Sequence, residues 1–221
     1  MRVLVVMKFL GMLPKLLRQP IFLFLRTLRM DLARHPTYAP KLFASRARRG
    51  WFGGSIEDAT GDPDAPIFDI GQSVARIKAA ADDARDKPFF LTAQAENYLW
   101  GRPDLDDTIK RLQAFSEAGA DVLYAPGLPD IAAIKAVCAA VDKPVNVVMG
   151  LQGQTYSVAQ LSNAGVRRIS VGGSFARTAL GALMRAAEEV KTHGTFTYAA
   201  GAIPDAQISQ YMAQEKLADR D

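Results

Sequence analysis

Residues 86–125, DKPFFLTAQAENYLWGRPDLDDTIKRLQAFSEAGADVLYA, hold one complete period of the rhythm from which the fold follows. Lys87-Pro88 ends whatever helix precedes it, because proline lacks the N–H a helix needs. FFLTAQA then reads as a strand on its aromatic and branched content. DLDDTIKRLQAFSEAG reads as a helix, with acids in its first turn where the dipole favours them and Gly119 just past its end. DVLYA returns to strand. A strand, a crossover helix and a second strand in so short a span make a parallel unit.

The same beat extends in both directions. Upstream, GGSIE is a short apolar segment, DATGDPDAPIFD a loop rich in Asp, Pro and Gly, and SVARIKAAADDARD a helix with Val74, Ile77 and Ala81 on one face. Downstream, DIAAIKAVCAAV, PVNVVM, SVAQLSNAG and RRISVG alternate helix and strand, and SFARTALGALMRAAEEVKTHG closes as a long helix. Two echoes support repetition: Asp86-Lys87-Pro88 and Asp142-Lys143-Pro144 each precede a strand, and Ala118-Gly119 and Ala164-Gly165 each close a helix before one. Strands near 54–57, 89–93, 121–125, 145–149 and 168–171 recur at roughly 24–34 residues, the room a strand plus crossover helix needs. The expectation is an α/β fold, an incomplete or atypical (β/α)8 TIM barrel. Five units are visible where eight take about 250 residues. An unclosed barrel exposes two sheet edges, which a partner chain would cover.

Charge divides the chain into two regions, 1–52 and 53–221. Residues 1–52 carry 11 Lys/Arg against one acid, Asp31, a net of +10, whereas the remainder carries 16 against 22, a net of −6. The basic excess therefore says nothing about a ligand of the barrel. The head opens MRVLVVMKFLGML, an apolar run interrupted by Lys8 with no small-residue cleavage site after it, and IFLFL is too short to span a bilayer. It reads as an atypical N-terminal segment. Membrane contact by a basic amphipathic helix, or a grip on nucleic acid, is the less favoured use of it, and no aromatic–basic interleaving resembles an RNA-binding motif. The single cysteine, Cys138, excludes an internal disulfide and fits a reducing, cytoplasmic setting. With only His35 and His193, a histidine zinc site or a catalytic triad is not supported.

In barrels of this kind the active site gathers at the C-terminal ends of the strands. That rule selects Glu57 and Asp58, Gln94 with Glu96 and Asn97, Tyr124, Asn146, and Gly172-Gly173-Ser174. Adjacent acids at a strand end suit Mg²⁺, held partly through water, although an acid there can equally cap a helix or loop. Gly172-Gly173-Ser174 opens the closing helix and could offer backbone N–H groups to an anion, or form a tight turn with Ser174 as cap. Gly150-Leu151-Gln152-Gly153-Gln154-Thr155 has no lysine before its threonine, so it is no nucleotide P-loop.

Taken in order, GGSIEDATGDPDAPIFD, FFLTAQAENYLWGR, EAGADVLYAPG, PVNVVM and GVRRISVGGSFAR resemble the isocitrate lyase/phosphoenolpyruvate mutase family over roughly residues 53–200. The resemblance implies a (β/α)8 barrel, often a dimer or tetramer that exchanges its last helix. It also implies Mg²⁺ and a small keto or hydroxy carboxylate, or a phosphonate, in which a C–C or P–C bond is made or broken beside an enolate. Glu57 matches the family's acid after the fourth strand, which holds magnesium through water. Asp58 and Asn97 join it as candidate catalytic residues, Gln94, Asn146, Gly172, Gly173 and Ser174 as candidate substrate contacts, and the loop Ala59–Phe68 matches a region that gates the site.

There are departures. The family's metal-binding aspartates lie on earlier strands, and nothing in residues 1–52 resembles them. The arginine that clamps the substrate carboxylate is Gln94 here, which keeps a donor but loses the charge and the fork. The lyase branch's Lys-Cys-Gly-His loop is absent, and its glutamate after the sixth strand is replaced near Pro126. Two expectations follow: a Mg²⁺-dependent lyase or mutase-like enzyme, forming a homo-oligomer through the C-terminal helices, or a truncated, non-catalytic member acting as a binding or assembly subunit.

Overall fold

The computed structural model describes residues 4–6, 27–29 and 53–210. The rhythm read from the sequence is present: β3 (Gly53–Glu57), α1 (Ile70–Ala84), β4 (Phe90–Gln94), α2 (Leu105–Glu117), β5 (Val122–Tyr124), α3 (Ile131–Ala140), β6 (Val145–Val148), α4 (Val158–Asn163), β7 (Arg168–Ser170) and α5 (Ser174–His193). All pairings from β3 to β7 are parallel and join consecutive strands. Each helix from α1 to α4 starts on a side-chain cap. Asp69, Asp104 and Asp130 accept from the backbone N–H three residues on, and Ser157 and Gln160 form a capping box.

The Ala-Gly echo has a structural cause. After α2 the Gly119 N–H donates to the Ser116 carbonyl and the Ala120 N–H to that of Phe115. After α4, Gly165 and Val166 repeat the pattern onto Ser162 and Leu161. Both glycines sit at positive φ, 102° and 100°, the left-handed residue this helix stop requires. A Cβ on Gly119 would come within 2.8 Å of the Ala81 Cβ, and one on Gly165 within 2.9 Å of the Cys138 Cβ. Each stop thus also lets its turn lie against the preceding helix.

Strand alternation separates two kinds of interior. Ile56, Leu91, Ala93, Leu123 and Val145 point toward the helices and pack with Ile77, Ala80, Leu112, Phe115 and Val137. Val147 and Ile169 do the same with Ile134 and Leu161. The hydrophobic core is therefore the layer between sheet and helices. The opposite face of the same strands is mainly polar, with Val122 and Val148 among the apolar exceptions.

Two three-residue strands come from the basic head: β1 (Leu4–Val6) and β2 (Thr27–Arg29). β1 pairs parallel to β7 and β2 parallel to β3, giving the order β1-β7-β6-β5-β4-β3-β2. The first strand lying beside the last is the connectivity of a barrel. Among the described residues β1 and β2 do not pair with each other. The rest of the head, with its membrane and nucleic-acid readings, lies outside the described residues. No described helix is long and apolar enough to cross a membrane.

Candidate active site

The register of the sheet sets five side chains in one row. Glu57 pairs with Gln94, Gln94 with Tyr124, Tyr124 with Asn146, and Asn146 with Arg168. Residues in register on parallel neighbours point to the same face, and all five line a cavity of about 600 Å³ at the C-terminal ends of the strands. Glu96, Gly172 and Gly173 line it too, and the loops after β5 and β6 form its rim. Of the residues the sequence selects, Glu57, Gln94, Glu96, Tyr124, Asn146, Gly172 and Gly173 are thus brought together.

Asp58, Asn97 and Ser174 are not part of that lining. The Asp58 side chain turns away: Oδ1 accepts from the Glu96 N–H at 2.8 Å and Oδ2 from Arg111 Nη1 at 3.1 Å. Burial pushes its carboxyl up to about 6, against the opposing pull of the Glu96 amide and Arg111. Asn97 ties down its own loop. Its Nδ2 is within hydrogen-bond range of the carbonyls of Arg102 and Asp104 and of Thr108 Oγ1, and its Oδ1 accepts from the Thr108 hydroxyl. Both side chains are engaged in internal bonds. Ser174 does not cap α5: the N-cap is Gly173, without a side-chain hydrogen bond. Its Oγ is buried with no partner among the described residues, and it packs against Gly150, which does line the cavity.

Glu57 is positioned from behind. Arg76 on α1 donates Nη1 to the Glu57 carbonyl at 2.8 Å, with its guanidinium 4.5 Å from the centre of the Phe68 ring. The loop Ala59–Phe68 folds on itself: Ala59 bridges Ile67, the Thr60 N–H donates to the Pro66 carbonyl and the Phe68 N–H to that of Asp58. None of its residues lines the cavity in this conformation.

Arg168 is the member of the row that sequence reading missed. Within RRISVG it reads only as part of a strand, and its signal was parity, since it stands in register with Asn146. Its Nη1 reaches Thr92 Oγ1 at a long 3.4 Å, and its Nε has no partner among the described residues. Burial lowers its pKa to about 10, so it is charged at neutral pH. On β6, Asn146 donates Nδ2 to Ser170 Oγ at 3.1 Å, while its buried Oδ1 has no partner among the described residues.

Could this cavity hold a metal? Among the described residues no three His, Cys, Asp or Glu side chains converge on one point. The two acids of the lining, Glu57 and Glu96, and the orphaned Asn146 Oδ1 are all hard oxygen donors. That set fits Mg²⁺ held through one or two carboxylates with water and substrate oxygens. It does not fit a softer ion that demands nitrogen or sulfur.

Comparison with known proteins agrees with the fold. Residues 33–191 match the family model described as phosphoenolpyruvate phosphomutase. The 2-methylisocitrate lyase of Escherichia coli K12 is 31% identical over 107 residues, an alignment covering 46% of this chain and 36% of that enzyme. A solved structure from Burkholderia cenocepacia J2315, provisionally assigned as a lyase/mutase, is 53% identical with a TM-score of 0.77, and the match covers 82% of this chain and 66% of that one. A phosphonopyruvate hydrolase solved with oxalate and Mg²⁺ shares the fold at 19% identity and a TM-score of 0.70, over 84% of this chain and 67% of its own. The chain thus spans about a third of the curated lyase's length and about two thirds of the solved chains.

Proposed function

The chain belongs to the phosphoenolpyruvate phosphomutase family, and from that premise we propose that its cavity carries a magnesium-dependent lyase- or mutase-like reaction. The substrate is a small keto or hydroxy carboxylate or a phosphonate, and the bond made or broken is C–C or P–C beside an enolate. The carrying observation is the row Glu57–Gln94–Tyr124–Asn146–Arg168. It puts acid, amides, phenol and guanidinium on one wall of a cavity where a barrel interior is ordinarily filled with branched apolar side chains.

In this reading Glu57 and Glu96 hold the ion, in part through water. Magnesium, when bound, supplies electrostatic stabilisation of the enolate charge. Arg76 fixes the end of β3 so that Glu57 stays aimed at the cavity. Gln94 and Asn146 orient the substrate through their amides, and Gly172 and Gly173, lacking side chains, let an anionic end approach the backbone where α5 begins. Asp58 and Asn97 act at one remove, holding β3, β4 and α2 in place.

Calorimetric titration of the folded chain with Mg²⁺ and oxalate, an enolate mimic, tests this. Heat of binding that disappears in Glu57→Gln is the expected result; a folded sample that binds nothing defeats the reading. A non-catalytic binding or assembly role is the second reading, favoured by Gln94 in place of an arginine and by there being only two acids, Glu57 and Glu96, among the described residues of the lining. A chain that binds Mg²⁺ and oxalate but turns over no keto acid or phosphonate takes that role.

The assembly is proposed to be a homo-oligomer built through α5, whose only buried residue is Ser174. The lone cysteine is in keeping with a cytoplasmic site of action.

A further inference from the structure

We propose that Arg168, on β7, grips the anionic group of the substrate, taking over from across the barrel the charge that Gln94 does not supply. This rests on the cavity being the substrate site and adds to it which residue determines that the ligand is an anion.

Among the described residues Arg168 is the only lysine or arginine in the lining, and it is just 6% exposed. A guanidinium carries five N–H donors in a fixed fork. Here one of them meets Thr92 Oγ1 at 3.4 Å, and among the described residues Nε has no hydrogen-bond partner and no carboxylate forms an ion pair with the guanidinium. Compare Arg111, also buried, which bonds Asp58, Asp107 and the Phe68 carbonyl. A buried cation without a counter-ion is costly, and that cost falls once a small anion fills the fork.

The charges of the lining point the same way. Glu57 and Glu96 alone would repel a carboxylate or phosphonate. Gln94 can give such a group one neutral hydrogen bond, whereas Arg168 can give two charge-assisted ones. Thr92, one inward position below Gln94 on β4, receives the Arg168 contact and so holds the guanidinium against the cavity wall. The anion-binding end therefore lies on the β7 side of the barrel, and the acids on the β3–β4 side are left for the metal.

The test is isothermal titration of the full chain with oxalate, and separately with phosphonoacetate, each with Mg²⁺, comparing wild type, Arg168→Met, Arg168→Lys and Glu57→Gln. Loss of about tenfold or more in affinity in Arg168→Met, with a smaller loss in Arg168→Lys, is expected, because a bidentate charge-assisted pair is removed in one and weakened in the other. The probe that loses more shows whether a carboxylate or a phosphonate is the preferred group. Should Arg168→Met not fold, NMR of arginine-labelled wild type decides, with the Nε–Hε resonance absent from Arg168→Lys expected to shift when oxalate is added. Full affinity in Arg168→Met, or an unmoved resonance in an oxalate-saturated sample, overturns the role of Arg168. If Glu57→Gln still abolishes binding in that case, the cavity reading survives without it. A folded wild type that binds neither probe overturns both.

Discussion

Arg111 Nη1 lies 3.1 Å from Asp58 Oδ2, joining the end of β3 to the middle of α2 across 53 residues of sequence. The same guanidinium reaches the Phe68 carbonyl at 2.8 Å and, through Nε, Asp107 at 2.7 Å. One side chain thus locks a strand end, the loop after it and a helix around a carboxylate with no solvent exposure. Arg111→Ala leaves that carboxylate buried and unpaired, and is expected to cost about 3–5 kcal/mol. Asp58→Asn keeps an acceptor for the Glu96 N–H and removes the charge that burial disfavours, so it should cost less. Urea midpoints of the two variants against wild type check the order; equal losses would mean that Asp58 is not held as the structure shows.

That lock also shows where the sequence stops being legible. Asp58 and Asn97 stand at strand ends in the right residue types, and position alone nominates them for chemistry. What disqualifies them from the cavity wall is a partner far along the chain, Arg111 for one and Thr108 for the other. Nothing local announces such a pairing. The alternation of strands and helices was legible because it is local: Asp caps, Ala-Gly stops and apolar faces lie within a few residues of what they control. The head's two strands were not, since Leu4–Val6 sits in an apolar run with no alternation and Thr27–Arg29 is too short for any pattern. Arg168 was overlooked because parity matters only when the register is known.

Gln94 stands second in the polar row, 8% exposed, between Glu57 and Tyr124. Gln94→Arg would add a second guanidinium to the cavity and is expected to tighten oxalate binding by about tenfold, the difference between a neutral and a bidentate charge-assisted contact. Titration in the presence of Mg²⁺ measures it. Unchanged affinity would mean that the Gln94 side chain does not reach the ligand. Combined with Arg168→Met, the variant should recover part of the lost binding, since either wall can then supply the charge.

The closing helix α5 carries Leu180, Leu183 and Met184 at 57%, 65% and 71% exposure. Spaced three and four apart, they form one stripe on one face of the helix. Its far end is fixed locally, because the Glu189 carboxylate accepts from the Thr195 hydroxyl and from the Thr197 and Tyr198 N–H groups. An ordered helix with an uncovered apolar stripe is expected to dock on a second copy. Sedimentation equilibrium should give an oligomer for wild type and a folded monomer for Leu183→Glu combined with Met184→Glu. A wild type that is monomeric at roughly tens of micromolar, above the micromolar-to-picomolar dissociation constants of standard-sized interfaces, would remove the reason for the stripe.

Cys138 on α3 packs against both apolar clusters, and burial pushes its thiol up to about 11 from an ordinary 9.0. The thiolate is the reactive form, so at pH 8 its population in the folded chain should be about a hundredfold below that of an unburied thiol, each pKa unit being a factor of ten. As the sole cysteine of the chain, it gives an unambiguous signal. Iodoacetamide modification at pH 8 should be slow in the native protein and should accelerate when urea unfolds it. The sign of the coupling follows from the same shift. The folded state keeps this proton more tightly than the unfolded one, so the contribution to stability is complete below the unfolded pKa and is lost as pH rises from about 9 through 11. Native-state modification as fast as in urea would place the thiol at the surface, contradicting the packing of Gly165 against Cys138 on which the turn into β7 depends.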